Sequence, residues 1–348
     1  MAFELQSSES VEAGIKRIVD EQLASALEDL RGGDPKKADA AVHAARKRLK
    51  RIRAVVRLVR EELGEEIFAP ENAAFRDAGG SLSEARDAAV LIDTLDGLKK
   101  SVDPAAFSAA RKKLLARRRV VQKRVLEAGN GLETVAAQVE SARLRVATWP
   151  IARDGWDAIK PGLKRIYGEG RIASERAEVG GEAELFHEWR KRVKDLWHQL
   201  EVLEAVWPEV VKVVAEQCHA LADILGEEHD LSVLKSVLEA EALARAEEVS
   251  PVVEAAEVKR ACRQREAKAL GGRLFAERAG AFAKRIGNYW LAWKRDEVVE
   301  VKEEPTVELH SAEEDDAEQA GTVEAVEEGV SEVAESQTDA ASAPESAA

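Results

Sequence analysis

The chain has 348 residues, 45% hydrophobic and only 5% aromatic, with 34% charged residues and a formal net charge of −14. That length allows one large domain or two ordinary ones, and the bias to Ala, Leu, Val, Glu, Lys and Arg favours helices over strands. The net charge says little about partners: residues 301–348 hold 15 acids and one Lys, which leaves 51 acidic and 51 basic residues in 1–300.

In chain order, nearly every segment carries apolar residues at helical period, with turn signals between. The stretch VEAGIKRIVDEQLASALEDL is an amphipathic helix stopped by Gly32 and Gly33. Asp34-Pro35 opens a second helix that runs to about Leu63-Gly64. A third begins near Glu65 and is expected to break at Gly79-Gly80, where Ser81 can cap LSEARDAAVLIDTLDGLKK. Asp103-Pro104 opens the next, ended by Gly129, and a shorter helix reaches Trp149-Pro150. The second half follows with helices over about 151–179, 182–206 and 209–246, and one long run from Pro251 to about 294. No segment alternates like a strand, so the expected fold is all-α, with long helices in bundles. From Val301 onward the composition is acidic, without aromatics, and reads as a disordered tail.

Cys218 and Cys262 are too few for a disulfide framework or a metal motif, and read as small apolar residues of a reduced compartment. No basic-then-apolar leader and no 18-residue apolar stretch is present, so a cytoplasmic location is expected.

The strongest signal is an internal repeat. AVHAARKRLKRIRAVVRL aligns with LFHEWRKRVKDLWHQLEVL, placing His43, Arg46, Lys47, Arg48 and Lys50 on His187, Arg190, Lys191, Arg192 and Lys194. At nearly the same offset SLSEARDAAVL aligns with DILGEEHDLSVL, placing Arg86 and Asp87 on His229 and Asp230. Two ordered matches argue for a duplication, with halves of about 8–150 and 151–295.

At about 100° per residue, His43, Arg46, Lys47, Lys50, Arg53 and Arg57 share one face of their helix. Ala45, Leu49, Ile52, Val55, Val56 and Val59 share the opposite one, and Arg48, Arg51 and Arg60 flank it and can snorkel to water. In the second copy His187, Arg190, Lys191, Lys194 and His198 stand together opposite Trp189, Val193, Leu196 and Leu200. A third basic run, 111–124, has eight Lys or Arg and no acid, and places Arg111 and Arg118 beside its apolar stripe, directed inward. The run 258–273 is a weaker parallel of unfixed register.

A solvated surface helix interleaves Glu with Lys, because like charges four apart cost about 0.2–0.5 kcal/mol per pair. Residues 40–60 and 104–126 contain no acid, a segregation that points to an anionic partner. The histidines could instead be metal ligands or ordinary satisfied groups. Yet Arg stands at the i+3 position where a second ligand would be, and His187 and His198 lie about 16 Å apart along their helix. The spacing therefore gives no metal site within either helix; one joining His43 to His187 across the bundle stays open but would have cations for neighbours, and a protonated His beside phosphate suits the surroundings better. Asp87 and Asp230 read as orienting partners of these cations rather than catalytic acids. No nucleophile motif or phosphate loop occurs, so no cofactor or catalytic residue is assigned. The cationic faces lack stacking aromatics, Asn and Gln, Gln122 excepted, so nucleic acid fits less simply than a polyanion without bases. An enzyme acting on polyphosphate or triphosphate, and a nucleic-acid or protein adaptor, remain alternatives.

The basic His helix followed each time by R/H-D-x-x-V-L resembles the CHAD (conserved histidine α-helical) domain, over roughly residues 8–295. The resemblance implies two four-helix bundles related by pseudo-twofold symmetry around a basic cavity that binds inorganic polyphosphate, with granule association in some members. It implies that His43, Arg46, Lys47, Lys50, Arg53, Arg57, His187, Arg190, Lys191 and Lys194 contact phosphate. Asp195 and Trp197 stand where the first copy has Arg51 and Arg53, which leaves the second half less basic.

Overall fold

The structure is a computed structural model and describes residues 3–32, 38–82, 84–127, 131–241 and 248–300. Among these it is all-α, with eleven α-helices and no strand. The first half comprises α1 (Val11–Arg31), α2 (Ala38–Leu58), α3 (Arg60–Ser81), α4 (Glu84–Asp96), α5 (Pro104–Glu127) and α6 (Gly131–Val146). The second comprises α7 (Trp156–Gly180), α8 (Ala183–Val202), α9 (Pro208–Glu241), α10 (Ser250–Leu274) and α11 (Ala279–Glu300), with a 3-10 turn at Glu204–Val206. The acidic stretch 301–348 lies outside the described residues.

Local chemistry sets some of these boundaries. Ser10 caps α1 by accepting from the Ala13 N–H at 3.2 Å. Helical bonding continues past Leu58, from the Val59 N–H to the Val55 carbonyl and from the Leu63 N–H to the Val59 carbonyl. The chain kinks at Gly64, whose φ of 69° suits glycine alone, but α2 has already ended at Leu58, where Val59 leaves the helical conformation, so the stop expected at Leu63-Gly64 comes earlier and the kink falls inside α3. Two other expectations fail. The α3 helix runs through Gly79-Gly80, and the Ser81 hydroxyl donates back to the Asp77 carbonyl instead of capping α4. The last long run breaks between α10 and α11, where Phe275 packs on Tyr167 and the Tyr167 hydroxyl donates to the Leu274 carbonyl at 2.9 Å. A tertiary bond there satisfies a helix-end carbonyl, which no local sequence signal announces.

The two halves pair their helices alike. In the first, α1 packs on α2 and α6, α2 on α3, and α4 on α5; in the second, α7 packs on α8 and α11, α8 on α9, and α9 on α10. One 34-residue helix, α9, thus takes the places of both α3 and α4. The halves meet where α2 lies against α8 and α4 against α9. The apolar cores divide otherwise. The larger joins α1, α2, α3 and α6 to α7, α8, α11 and the first part of α9. The smaller joins Leu91, Leu95 and Leu114 of α4 and α5 to Leu231, Leu238 and Val252 of α9 and α10.

The α2 stripe Ala45, Leu49, Ile52, Val55, Val56 and Val59 is entirely buried, as the periodicity requires. Each large aliphatic side chain buried there contributes about 1.5–3 kcal/mol, far more than the repulsion between neighbouring cations costs. Packing therefore decides that α2 is a helix and which way it faces. Acids from other helices also meet its flanking arginines: Arg48 pairs with Asp29 of α1 at 2.7 Å and Arg51 with Glu201 of α8 at 3.0 Å. Neither snorkels unpaired to water.

Candidate functional site

Turning their dry stripes into the core leaves α2 and α8 presenting their cationic faces to the same space. With α4 and α9 they enclose a cavity of about 600 Å³. His43, Arg46, Lys47 and Lys50 line it from α2, and His187, Arg190, Lys194, Trp197 and His198 from α8. The α4 helix adds Asp87, Val90 and Leu91; α9 adds His219, Asp223, His229, Asp230 and Val233. Five of the chain's six histidines therefore surround one space.

The cations here differ from those on the flanks. Among the described residues no carboxylate comes within 4.0 Å of the charged atoms of Lys50, Arg190 or Lys194, whereas Asp87 approaches Arg46 at 3.6 Å. Arg190 Nε and His187 Nδ1 are buried without a hydrogen-bond partner. Leaving such a group unmet costs about 1–3 kcal/mol. Gly226 of α9 faces the same guanidinium, which a Cβ there would touch at 3.4 Å, an ordinary contact distance.

Crowding shows in the proton affinities. Burial, then repulsion from Arg190 and Lys50, lowers Lys194 to about 7. Burial and the neighbours Arg46, Arg190 and Arg53 lower Lys50 to about 8, although its side chain opens onto the cavity. His229, stacked on His187 at 4.1 Å, falls to about 4 through burial and the charges beside it. Burial, then Lys191 and Arg190, lowers His187. Asp223 and Asp230 oppose the shifts of Lys194 and Arg190 without cancelling them. Several cations are thus held close with too little countercharge, an arrangement an anion would relieve.

Ten of the expected site residues line this cavity: His43, Arg46, Lys47, Lys50, His187, Arg190, Lys194 and His198, with Asp87 and Asp230 beside them. His198 is only a partial match, because it is buried with Nδ1 2.7 Å from Glu201 Oε2. Arg53 lines a smaller adjoining pocket. Four others are not brought in. Arg57 is consumed by Asp195 at 2.6 Å, and Lys191 pairs with Glu188 at the surface. Arg111, expected to point inward, is 41% exposed and pairs with Asp96 at 3.0 Å, because the α5 core runs through Ala106, Ala110 and Leu114 instead. Arg118 is partly buried away from the cavity lining. The 258–273 run lies on α10, where Arg260 pairs with Glu228 and Arg263 with Glu227.

Sequence reasoning missed His219, Asp223, His229 and Trp197 as lining residues. His219 and Asp223 stand at helical spacing from the expected Asp230 on α9, a signal that could have revealed those two. The cavity has no obvious cation grip for a metal: no group of three or more His, Cys, Asp or Glu among the described residues could hold an ion. Cys218 is buried, with its thiol pushed up to about 12, and Cys262 is exposed; both are free.

These features define an all-α protein of two similarly paired halves closing on a cationic, histidine-rich cavity. The model of the CHAD domain matches residues 21–239, and the chain belongs to that family, which is associated in general with polyphosphate and triphosphate binding. The matched stretch includes all of α2, α4 and α8 and the lining part of α9. No curated protein matches the chain. No described helix is long and apolar enough to cross a membrane.

Proposed function

We propose that the cavity binds inorganic polyphosphate without catalysing its breakdown. The observation that carries this reading is the contrast between paired and unpaired cations on the same helices. Flanking arginines find acids on neighbouring elements, while Lys50, Arg190 and Lys194 face the cavity with none at ion-pair distance. A linear, densely charged ligand supplies many acceptor oxygens to such a lining, the buried Arg190 Nε among them. A base-bearing ligand is less well served, because Trp197 is already stacked on His198 at 4.3 Å and on His219 at 3.9 Å. On this reading the chain gathers wherever polyphosphate accumulates, granules included.

Titration with polyphosphate between 50 and 200 mM salt tests it. Five lining Lys and Arg residues should make log K fall with log salt at a slope of about −3.5 to −4.5, taking 0.7–0.9 per contact. Arg190→Gln with Lys194→Gln should weaken binding at least about tenfold. Unchanged affinity in that variant overturns the site, and phosphate release by the wild-type chain, with or without divalent metal, overturns the non-catalytic reading.

A further inference from the structure

Beside the cavity, between α2 and α3, lies a second pocket of about 190 Å³. It shares Arg46 and Lys50 with the cavity, so the two spaces meet along one cationic face of α2. Arg53 and Arg76 also line it, and Gly79 and Gly80 present no side chain there. Arg53 makes one long hydrogen bond, to Asn72 at 3.3 Å. Arg76 is held only by its exposed neighbour Asp77, at 2.8 Å, a solvent-screened pair that a phosphate can displace.

The repeat allows the same place to be examined in the other half. The alignment that sets His43 on His187 sets Arg53 on Trp197. The one that sets Asp87 on Asp230 sets Arg76 on His219 and Gly80 on Asp223. Two arginines that flank an opening on the α2–α3 side are therefore replaced by two rings stacked 3.9 Å apart, and a glycine by a carboxylate. His219 Nε2 lies 3.5 Å from Asp223, so the acid belongs to the same cluster.

We infer that a linear polyphosphate leaves the cavity over Arg46 and Lys50 and out past Arg53 and Arg76, because the Trp197, His219 and Asp223 cluster sets two rings and an acid in place of cations on the corresponding side between α8 and α9. The inference rests on the cavity being the polyphosphate site and adds the path of the chain. Short oligophosphates fill the cavity alone, and longer chains gain from the α2–α3 pocket.

The test compares tripolyphosphate with long-chain polyphosphate on the full-length protein, with circular dichroism and thermal unfolding as checks of folding. In Arg53→Gln with Arg76→Gln, long-chain affinity should fall about tenfold or more while tripolyphosphate affinity stays within about twofold. The long-chain salt slope should lose about 0.7 per arginine removed. His219→Glu, at an exposed position, should weaken both ligands by the same factor. Equal effects of the double arginine variant on both ligands, or a selective long-chain loss in His219→Glu, would overturn the path. Should Arg190→Gln with Lys194→Gln leave both ligands unaffected, the cavity reading itself fails, a result separable from the others.

Discussion

Replacing Lys194 by Arg isolates the electrostatic cost built into the empty cavity. With Lys194 near 7 and Lys50 near 8, the first is about nine-tenths neutral at pH 8 and the second about half neutral. Bound polyphosphate draws both towards the ordinary lysine value of 10.5, so complex formation at pH 8 should take up about 1.4 protons from these two groups. Log K should then fall with pH at a slope of about −1.4 near pH 8, with His187 and His229 extending the uptake below about pH 7. Arg46 and Arg190 promote the uptake by repelling the empty-state charges, and Asp87, Asp223 and Asp230 moderate it. An arginine stays charged throughout, so Lys194→Arg should bind more tightly than wild type at pH 9 and lose about 0.9 of the slope at pH 8. Calorimetry in buffers of different ionisation enthalpy counts the protons directly, and titration of the ligand's own phosphates cancels between variant and wild type. An unchanged proton count in Lys194→Arg would refute the assignment of the uptake to Lys194.

The same two lysines act in the opposite sense on the empty protein. Their folded values lie below the unfolded one, so the unfolded chain binds more protons between about pH 7 and 10, and these two groups should make thermal stability rise with pH across that window. Lys194→Met should flatten that rise. Glu228 is fully buried, held by Arg260 at 2.8 Å and Gln264 at 2.9 Å. Arg260→Ala would strand its carboxylate and should cost about 3–5 kcal/mol in urea unfolding, with Glu228→Gln in the same background recovering part of the loss. Gly162 of α7 presses on the backbone of α2, and a Cβ there would overlap the Leu58 carbonyl oxygen. Gly162→Ala should therefore destabilise by at least about 2 kcal/mol, measured by denaturant midpoint, because no side-chain rotation can relieve a clash with backbone.

The cationic face of α2 and its copy on α8 were legible because one helix contains both the apolar stripe and the charges opposite it. What a single helix does not contain was not legible. The absence of acid from residues 40–60 made every cation look unpaired, yet Asp29, Asp195 and Glu201 reach Arg48, Arg57 and Arg51 from other helices. Only three-dimensional packing separates the arginines spent on such pairs from the group left facing the cavity. Arg111 illustrates the same limit: its angular position beside a stripe of larger apolar residues suggested the interior, but α5 buries its alanines and turns that arginine to Asp96. The continuity of α3 through Gly79-Gly80 was likewise not legible, since a glycine pair is compatible with either outcome, and the break after Leu274 lies where Phe275 and the Leu274 carbonyl meet Tyr167.

The sharing of one core by both halves also bears on ancestry. A single half, alone, would expose the apolar faces that α2 and α3 now bury against α7 and α8. A forebear consisting of one such unit would have needed a second copy of itself, joined through an isologous contact, with identical openings at both ends of the enclosed space. On the duplication reading, joining the copies into one polypeptide would release each from that constraint. Trp197 and His219 could then diverge from Arg53 and Arg76, an asymmetry that no true homodimer could have encoded.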